Sequence, residues 1–193
     1  MKPTMPHTLR YSAMKYVVAV LFLVLFGCQL DSDKAINRDK FTFKIGSDTQ
    51  LFFKNVRQSY YDLEENKAAN FNVFRLSKRV QSVDRPLLNL AIVINYRQDE
   101  AYLLLEPSMD LAELPITIIA EYDSIQTRKE ITLAEQNRES TLHFAADLYE
   151  SILAGGTFYI RSDSTDIPIL TSQQEREAFR ITVSDYFRLT RVY

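Results

Sequence analysis

Cysteine occurs once in this chain, at Cys28, and tryptophan does not occur at all. A lone cysteine excludes an intrachain disulfide and a cysteine-only metal cage, so the fold must be held by packing. Without an indole the chain lacks the strongest aromatic stacking platform, which makes a carbohydrate site less inviting. Histidine occurs only at His7 and His143, too few for a site built from histidine alone. Glycine is scarce, at Gly27, Gly46, Gly155 and Gly156, and neither a G-x-G-x-x-G run nor a Walker loop is present. Cationic residues are slightly outnumbered, 23 Lys and Arg against 25 Asp and Glu. Nucleic-acid binding calls for clustered cations, so no nucleic-acid partner is expected. Adhesion to anionic lipid by charge alone is not expected either.

What is present begins with residues 15–28, KYVVAVLFLVLFGC. Lys2, Arg10 and Lys15 precede or open this stretch, and no acid occurs before Asp31. A helix needs roughly 20 apolar residues to cross a bilayer, and the apolar run 16–26 is shorter than that. It has the length of the apolar core of a signal peptide. The run ends in Leu25, Phe26, Gly27 and Cys28.

This ending resembles the lipobox of bacterial lipoproteins, in which a branched apolar residue, a tolerant position and a small residue precede the cysteine. Leu25 and Gly27 fit, and Phe26 is bulkier than the usual second residue. The resemblance covers residues 1–28 only. It implies cleavage before Cys28, a covalent diacylglycerol on its sulfur, and acylation of the new amino terminus. Buried acyl chains contribute about 0.8 kcal/mol per CH₂, which would hold the protein at a membrane without a spanning helix. An ordinary cleaved signal peptide and an uncleaved short anchor are the alternatives. Gln29 follows the cysteine where enterobacterial lipoproteins retained in the inner membrane carry Asp. By that resemblance the outer membrane is the expected address. Asp31 and Asp33 are similar to the acidic export tags of surface lipoproteins in other bacteria. The expected organisation is a signal peptide at 1–27, a lipidated cysteine and polar tether at 28–40 spanning roughly 20 Å, and one globular domain at 41–193.

Within that domain the pattern predicts an α+β fold, mostly antiparallel sheet or sandwich. Phe41, Phe43 and Ile45 alternate with polar residues as in a half-buried strand. Further strands are expected at 49–56 and 71–76, with a polar stretch between them. The run 87–96 is apolar almost throughout, which predicts a central strand covered on both faces. Residues 101–106 follow as its hairpin partner, and 116–122 with 128–133 as a second hairpin around Asp123 and Ser124. Leu142, Ala145, Tyr149 and Ile152 recur at helical spacing, which predicts a helix at about 141–154. Ser140 or Thr141 would cap it, and Gly155-Gly156 would end it. Strands resume at 157–161 and 167–170. Ser172 and Glu175 have capping-box spacing. Alternation of Phe179, Ile181 and Val183 nevertheless favours a strand at 178–183, then a short helix capped by Ser184 or Asp185. The tetrapeptides at 55–58 and 95–98, Asn-Val-Arg-Gln and Asn-Tyr-Arg-Gln, match too briefly to establish a repeat.

The candidate chemistry is thin. His143 has Glu139 and Asp147 at helical neighbour positions, a surface or capping arrangement more than a triad. Ser12-Ala13-Met14-Lys15 matches S-x-x-K but lies in the expected signal peptide. The run Asp163-Ser164-Thr165-Asp166 offers oxygen ligands, but Pro168 stands where an EF-hand needs glycine and Gln174 where it needs Glu. Asp99, Glu100 and Glu106 form one acidic group, and Asp62, Glu64 and Glu65 another; paired carboxylates can hydrolyse glycosides when held at the right separation. Tyr60-Tyr61 could stack on a sugar or a partner, against burial as the plain alternative. Arg188, Arg191 and Tyr193 belong to a basic, aromatic C-terminal segment that reads as a partner-docking edge or a solvated helix face. The leading expectation is a non-enzymatic envelope lipoprotein working through contact with an envelope protein partner. A surface module for glycan or another ligand comes second, and a carboxylate-based hydrolase third. No catalytic residue, cofactor beyond the covalent lipid, metal site or oligomeric state is indicated.

Overall fold

The computed structural model describes residues 36–81, 84–108, 114–122, 127–161 and 165–193. A 3-10 turn at Arg38–Lys40 leads to a short helix α1 at Ser47–Phe52. Helix α1 runs on through a π turn at Phe53–Arg57 and a 3-10 turn at Gln58–Tyr60. Then follow β1 at Tyr61–Asn66, β2 at Phe71–Leu76, β3 at Leu88–Asn95 and β4 at Glu100–Pro107. After them come β5 at Ile116–Tyr122, β6 at Thr127–Leu133 and α2 at Arg138–Leu153. The chain ends with β7 at Thr157–Arg161, β8 at Asp166–Ile169 and α3 at Gln173–Leu189. This is an α+β fold.

The strands make two antiparallel sheets, ordered β1-β2-β3-β4 and β6-β5-β7-β8. The first is a plain meander in which each strand pairs with its neighbour in sequence. In the second, α2 carries the chain from β6 across β5 to β7, because both pair antiparallel with β5. Strand β3 lies between β2 and β4 with Leu88, Leu90, Ile92 and Ile94 turned into the main core. Its other face buries Ala91 and Val93 with Val73, fringed by Phe71, Tyr102 and Leu104. Burial of both faces explains why this stretch is apolar without alternation. Phe158, Ile160, Ile118 and Ala120 of the second sheet join the same main core, as do the inner sides of α2 and α3.

Both long helices stop in the same way. At the end of α2, Gly156 N–H donates to Ser151 and Gly155 N–H to Ile152, with Gly155 at φ +76°. At the end of α3, Val192 N–H donates to Phe187 and Arg191 N–H to Arg188, with Arg191 at φ +59°. These are Schellman ends, which satisfy carbonyls that the helix leaves open. At its start, α2 is capped by Asn137, whose side chain accepts from Ser140 N–H at 2.8 Å, so the helix begins before the expected Ser140 or Thr141.

Four local expectations are corrected. Residues 41–45 form no strand; Lys44 makes a single bridge to Glu100, with Ile45 and Phe43 bonded to the backbone beside it. Residues 49–56 are helical, started by Thr49, whose hydroxyl accepts from Gly46 N–H and donates to Gly46 C=O. The polar stretch before 71–76, where no strand is expected, contains β1, an edge strand whose acidic residues suit its free side. The segment 178–183 lies inside α3, capped by Ser172 as the capping-box spacing implied. Phe179 and Val183 share its buried face while Ile181 lies on the other side along the groove, and packing against β3 and β4 decides for the helix. The two matching tetrapeptides fall in a π turn and at the end of β3, so they mark no repeated unit.

Candidate functional site

The run from α1 to β1, the end of β2 and the first half of α3 enclose a groove of about 460 Å³. Leu76, Ala178 and Ile181 supply apolar surface, while Arg57, Tyr60 and Lys78 stand along it. Two backbone-directed bonds fix the rim: Gln174 Nε2 donates to Lys78 C=O at 2.8 Å, and Ser77 N–H donates to Tyr60 C=O at 2.9 Å. Glu177 also lines the groove and is engaged by Arg180 at 2.8 Å.

Beneath the groove sits Asp185, only 2% exposed. Arg57 Nε donates to its Oδ1 at 2.8 Å and its Oδ2 at 2.9 Å, and Tyr61 OH donates to Oδ2 at 2.7 Å. A carboxylate so buried is tolerable because both oxygens are met, one by two donors. Burial opposes the Arg57 charge, but the bond from Asp185 outweighs it and raises the guanidinium pKa further. Burial, then the neighbouring Asp185 charge, pushes the Tyr61 phenol well above its ordinary value, so it is a permanent donor here. Among the described residues, the terminal nitrogens of Arg57 have no hydrogen-bond acceptor. The guanidinium lies over the Tyr60 ring at 4.8 Å from its centroid. Arg57 is thus held through Nε by a buried carboxylate while it lines the groove.

The same helical run carries apolar side chains that the core does not use. Leu51, Phe52, Val56 and Tyr60 are exposed, Leu51 by 59% and Tyr60 by 52%, and Leu63 on the edge strand β1 is exposed as well. Only Phe53 of this run turns fully inward, against Tyr61 and Phe74.

The residues singled out by sequence are distributed otherwise. Cys28, Leu25, Phe26 and Gly27 lie outside the described residues, as do Ser12 and Lys15, Asp123 and Ser124, and Asp163 and Ser164. Arg191 pairs with Asp48, and Tyr193 OH shares a 2.7 Å hydrogen bond with Tyr149 OH while its ring packs on Phe187. Arg188 lies near the end of α3, half-buried. His143 is exposed on α2 with its ring 5.1 Å from that of Phe41, and Asp147 is engaged by Arg38 and Lys129 instead. The two acidic groups meet at one point, where an arginine lies between a member of each. Glu106 and Glu64 share Arg75, Asp62 accepts from Arg79 and Ser77, and Glu100 pairs with Lys44 and Arg138. Tyr60 and Tyr61 part company: the first lines the groove and the second is buried.

Sequence reasoning missed Arg57, Lys78 and Asp185. The only available signal was a charge inside an apolar helical face: Asp185 lies among Thr182, Val183 and Tyr186, and it reads equally well as an N-cap. Among the described residues no group of His, Cys, Asp and Glu is placed to hold a metal ion. No described helix is long and apolar enough to cross a membrane. The groove thus sets the cationic Arg57 and Lys78 beside the apolar Leu76, Ala178 and Ile181. Comparison with protein-family models, curated proteins and solved structures found no match.

Proposed function

We propose that this chain is a lipid-anchored protein of a bacterial cell envelope that acts by holding a protein partner rather than by catalysing a reaction. The anchor is Cys28, processed after the Leu25-Phe26-Gly27 motif, and the membrane is the outer one because Gln29 stands where enterobacterial lipoproteins retained in the inner membrane carry Asp. The observation that carries the contact role is the set of exposed Leu51, Phe52, Val56, Tyr60 and Leu63 on one short stretch beside a groove. Scattered single exposed apolar residues are ordinary, but a run of them next to a concavity is the usual form of an interaction surface.

A photoreactive benzoylphenylalanine placed at Val56 of the full chain in living cells tests the role. A discrete protein adduct that disappears on Phe52→Asp supports it; labelling of lipid alone, or no adduct, overturns it. Cys28→Ser tests the anchor separately: loss of lipid labelling and accumulation of precursor are expected, and continued acylation overturns the assignment. A small-molecule or glycan ligand is the second reading, favoured by the Tyr60 ring standing beside polar groups in the groove.

A further inference from the structure

The groove is lined by Arg57, Lys78 and Glu177, with Asp185 paired to Arg57 and Arg180 to Glu177. It is locally positive in a chain whose net charge is −2. Two of those cations are already committed, Arg180 to Glu177 and the Nε edge of Arg57 to Asp185. What remains for an incoming group is the terminal edge of Arg57 and the Lys78 ammonium, beside Leu76, Ala178 and Ile181.

We infer that the groove receives a segment of the protein partner in which an Asp or Glu stands next to an apolar side chain. The carboxylate docks on the Arg57 terminal nitrogens and Lys78, and the apolar group on Leu76, Ala178 and Ile181. This rests on the reading of the chain as a partner-binding protein, and it names what the partner must present.

Three arguments favour this occupant. The terminal edge of a guanidinium matches the two oxygens of a carboxylate, and a partner already bonded through Nε presents that edge without further ordering. A phosphate would bring a second negative charge, and the carboxylate of Glu177 on the same wall opposes it. The volume of about 460 Å³ falls in the range of roughly 300–1,000 Å³ that accommodates a ligand of two or three residues. Asp185 and Tyr61 are positioning residues in this scheme, because Asp185 touches Arg57 and Tyr61 touches Asp185, and neither touches the occupant.

The test uses the full lipidated chain in detergent micelles and two blocked peptides, acetyl-Leu-Asp-Leu-amide and acetyl-Leu-Asn-Leu-amide. Backbone amide shifts at Tyr60, Ser77, Lys78 and Ala178 report binding. The Asp peptide is expected to bind at least tenfold more tightly than the Asn peptide, and raising salt should narrow the difference. Lys78→Glu, on an exposed side chain, should remove most of the preference. Arg57→Lys keeps a cation for Asp185 but lacks the fork, and should reduce the preference while the shifts elsewhere show an intact fold. Equal affinity for the two peptides, perturbations clustered away from the groove, or a preference unaffected by either substitution would overturn the inference. If that happens while the Val56 adduct still forms, the partner reading survives and only the acidic recognition fails. Loss of the adduct in every chain sinks the partner reading itself.

Discussion

Helix α2 buries Leu142, Phe144, Ala145, Ala146, Leu148 and Tyr149, with Thr141 and Ser151 as its only buried polar residues. Its charged residues Asp147 and Glu150 stay at the surface, both reached by Arg38, with Lys129 on Asp147. Helix α3 buries a comparable apolar set but also takes two carboxylates into the interior, Glu175 at 4% exposure and Asp185 at 2%. Each is met by an arginine from another part of the chain, Arg85 and Arg57. Glu175 Oε2 and Arg85 Nη1 nonetheless have no hydrogen-bond partner among the described residues. Desolvating such pairs costs about what their attraction returns, so they contribute little net stability. Helix α2 is therefore held by area removed from water, and α3 is held partly by geometry. The difference matters for function because the α3 carboxylate that is fully satisfied, Asp185, is the one that holds Arg57 beside the groove.

The sharpest way to break this contrast is to delete apolar contacts from α2 and charge contacts from α3. Leu148→Ala, at a position with no exposure, should lower the unfolding free energy by about 3–4 kcal/mol in urea titration. Arg57→Met should cost about 3 kcal/mol, because Asp185 is left buried with Tyr61 as its remaining donor. The paired change Arg57→Met with Asp185→Leu should recover most of that loss, since no uncompensated charge remains. A double variant as unstable as the single one would show that the ion pair itself stabilises α3, and the contrast would fall.

The two helices also differed in how far the sequence revealed them. For α2, Leu142, Ala145, Tyr149 and Ile152 keep a helical period and Gly155-Gly156 marks the stop, so type and C-terminal end were legible. The start was displaced only because Asn137, rather than Ser140 or Thr141, makes the cap. For α3 the cap Ser172 was legible, but Asp185 and Glu175 interrupt the apolar face, and Phe179, Ile181 and Val183 alternate as a strand would. Where a buried face carries charge, periodicity understates the helix. The mirror case is 49–56, where Leu51, Phe52 and Val56 read as strand core yet stay exposed on a helical run. The candidate site escaped for the same reasons: its apolar rim looked like core, and its key carboxylate looked like a cap. Strands β2 to β7, whose burial follows from their own residues, were placed within a residue or two at each end.

The helix ends sharpen the comparison at a smaller scale. Both use a residue at positive φ, glycine in α2 and arginine in α3. A side chain there crowds the following carbonyl, at roughly 1 kcal/mol. Gly155→Ala should thus destabilise by about 1 kcal/mol, although nothing lies near enough to clash with the added Cβ. Arg191→Gly should have the opposite sign and raise the midpoint of thermal unfolding, even though it removes the ion pair to Asp48, which is exposed on both sides. If Arg191→Gly lowers the midpoint instead, the Asp48 contact ties the start of α1 to the end of α3 more strongly than exposed pairs usually do.

The smallest effect separates surface charge on α2 from buried charge on α3 by its pH dependence. Burial works against the Asp147 carboxylate, but Lys129 and Arg38 outweigh it and hold its pKa below the ordinary value. A carboxyl whose folded pKa is depressed stabilises the fold above its unfolded pKa, about 3.9, and loses that contribution as pH falls through the folded value. Asp147→Asn should cost about 1 kcal/mol at pH 7, the scale of a partly exposed ion pair with two cations. The gap between Asp147→Asn and the parent chain should shrink as pH falls below about 4. Urea midpoints of both chains, followed from pH 7 downward, measure that convergence. A constant gap would mean that Asp147 acts through packing or neutral hydrogen bonding rather than through its charge.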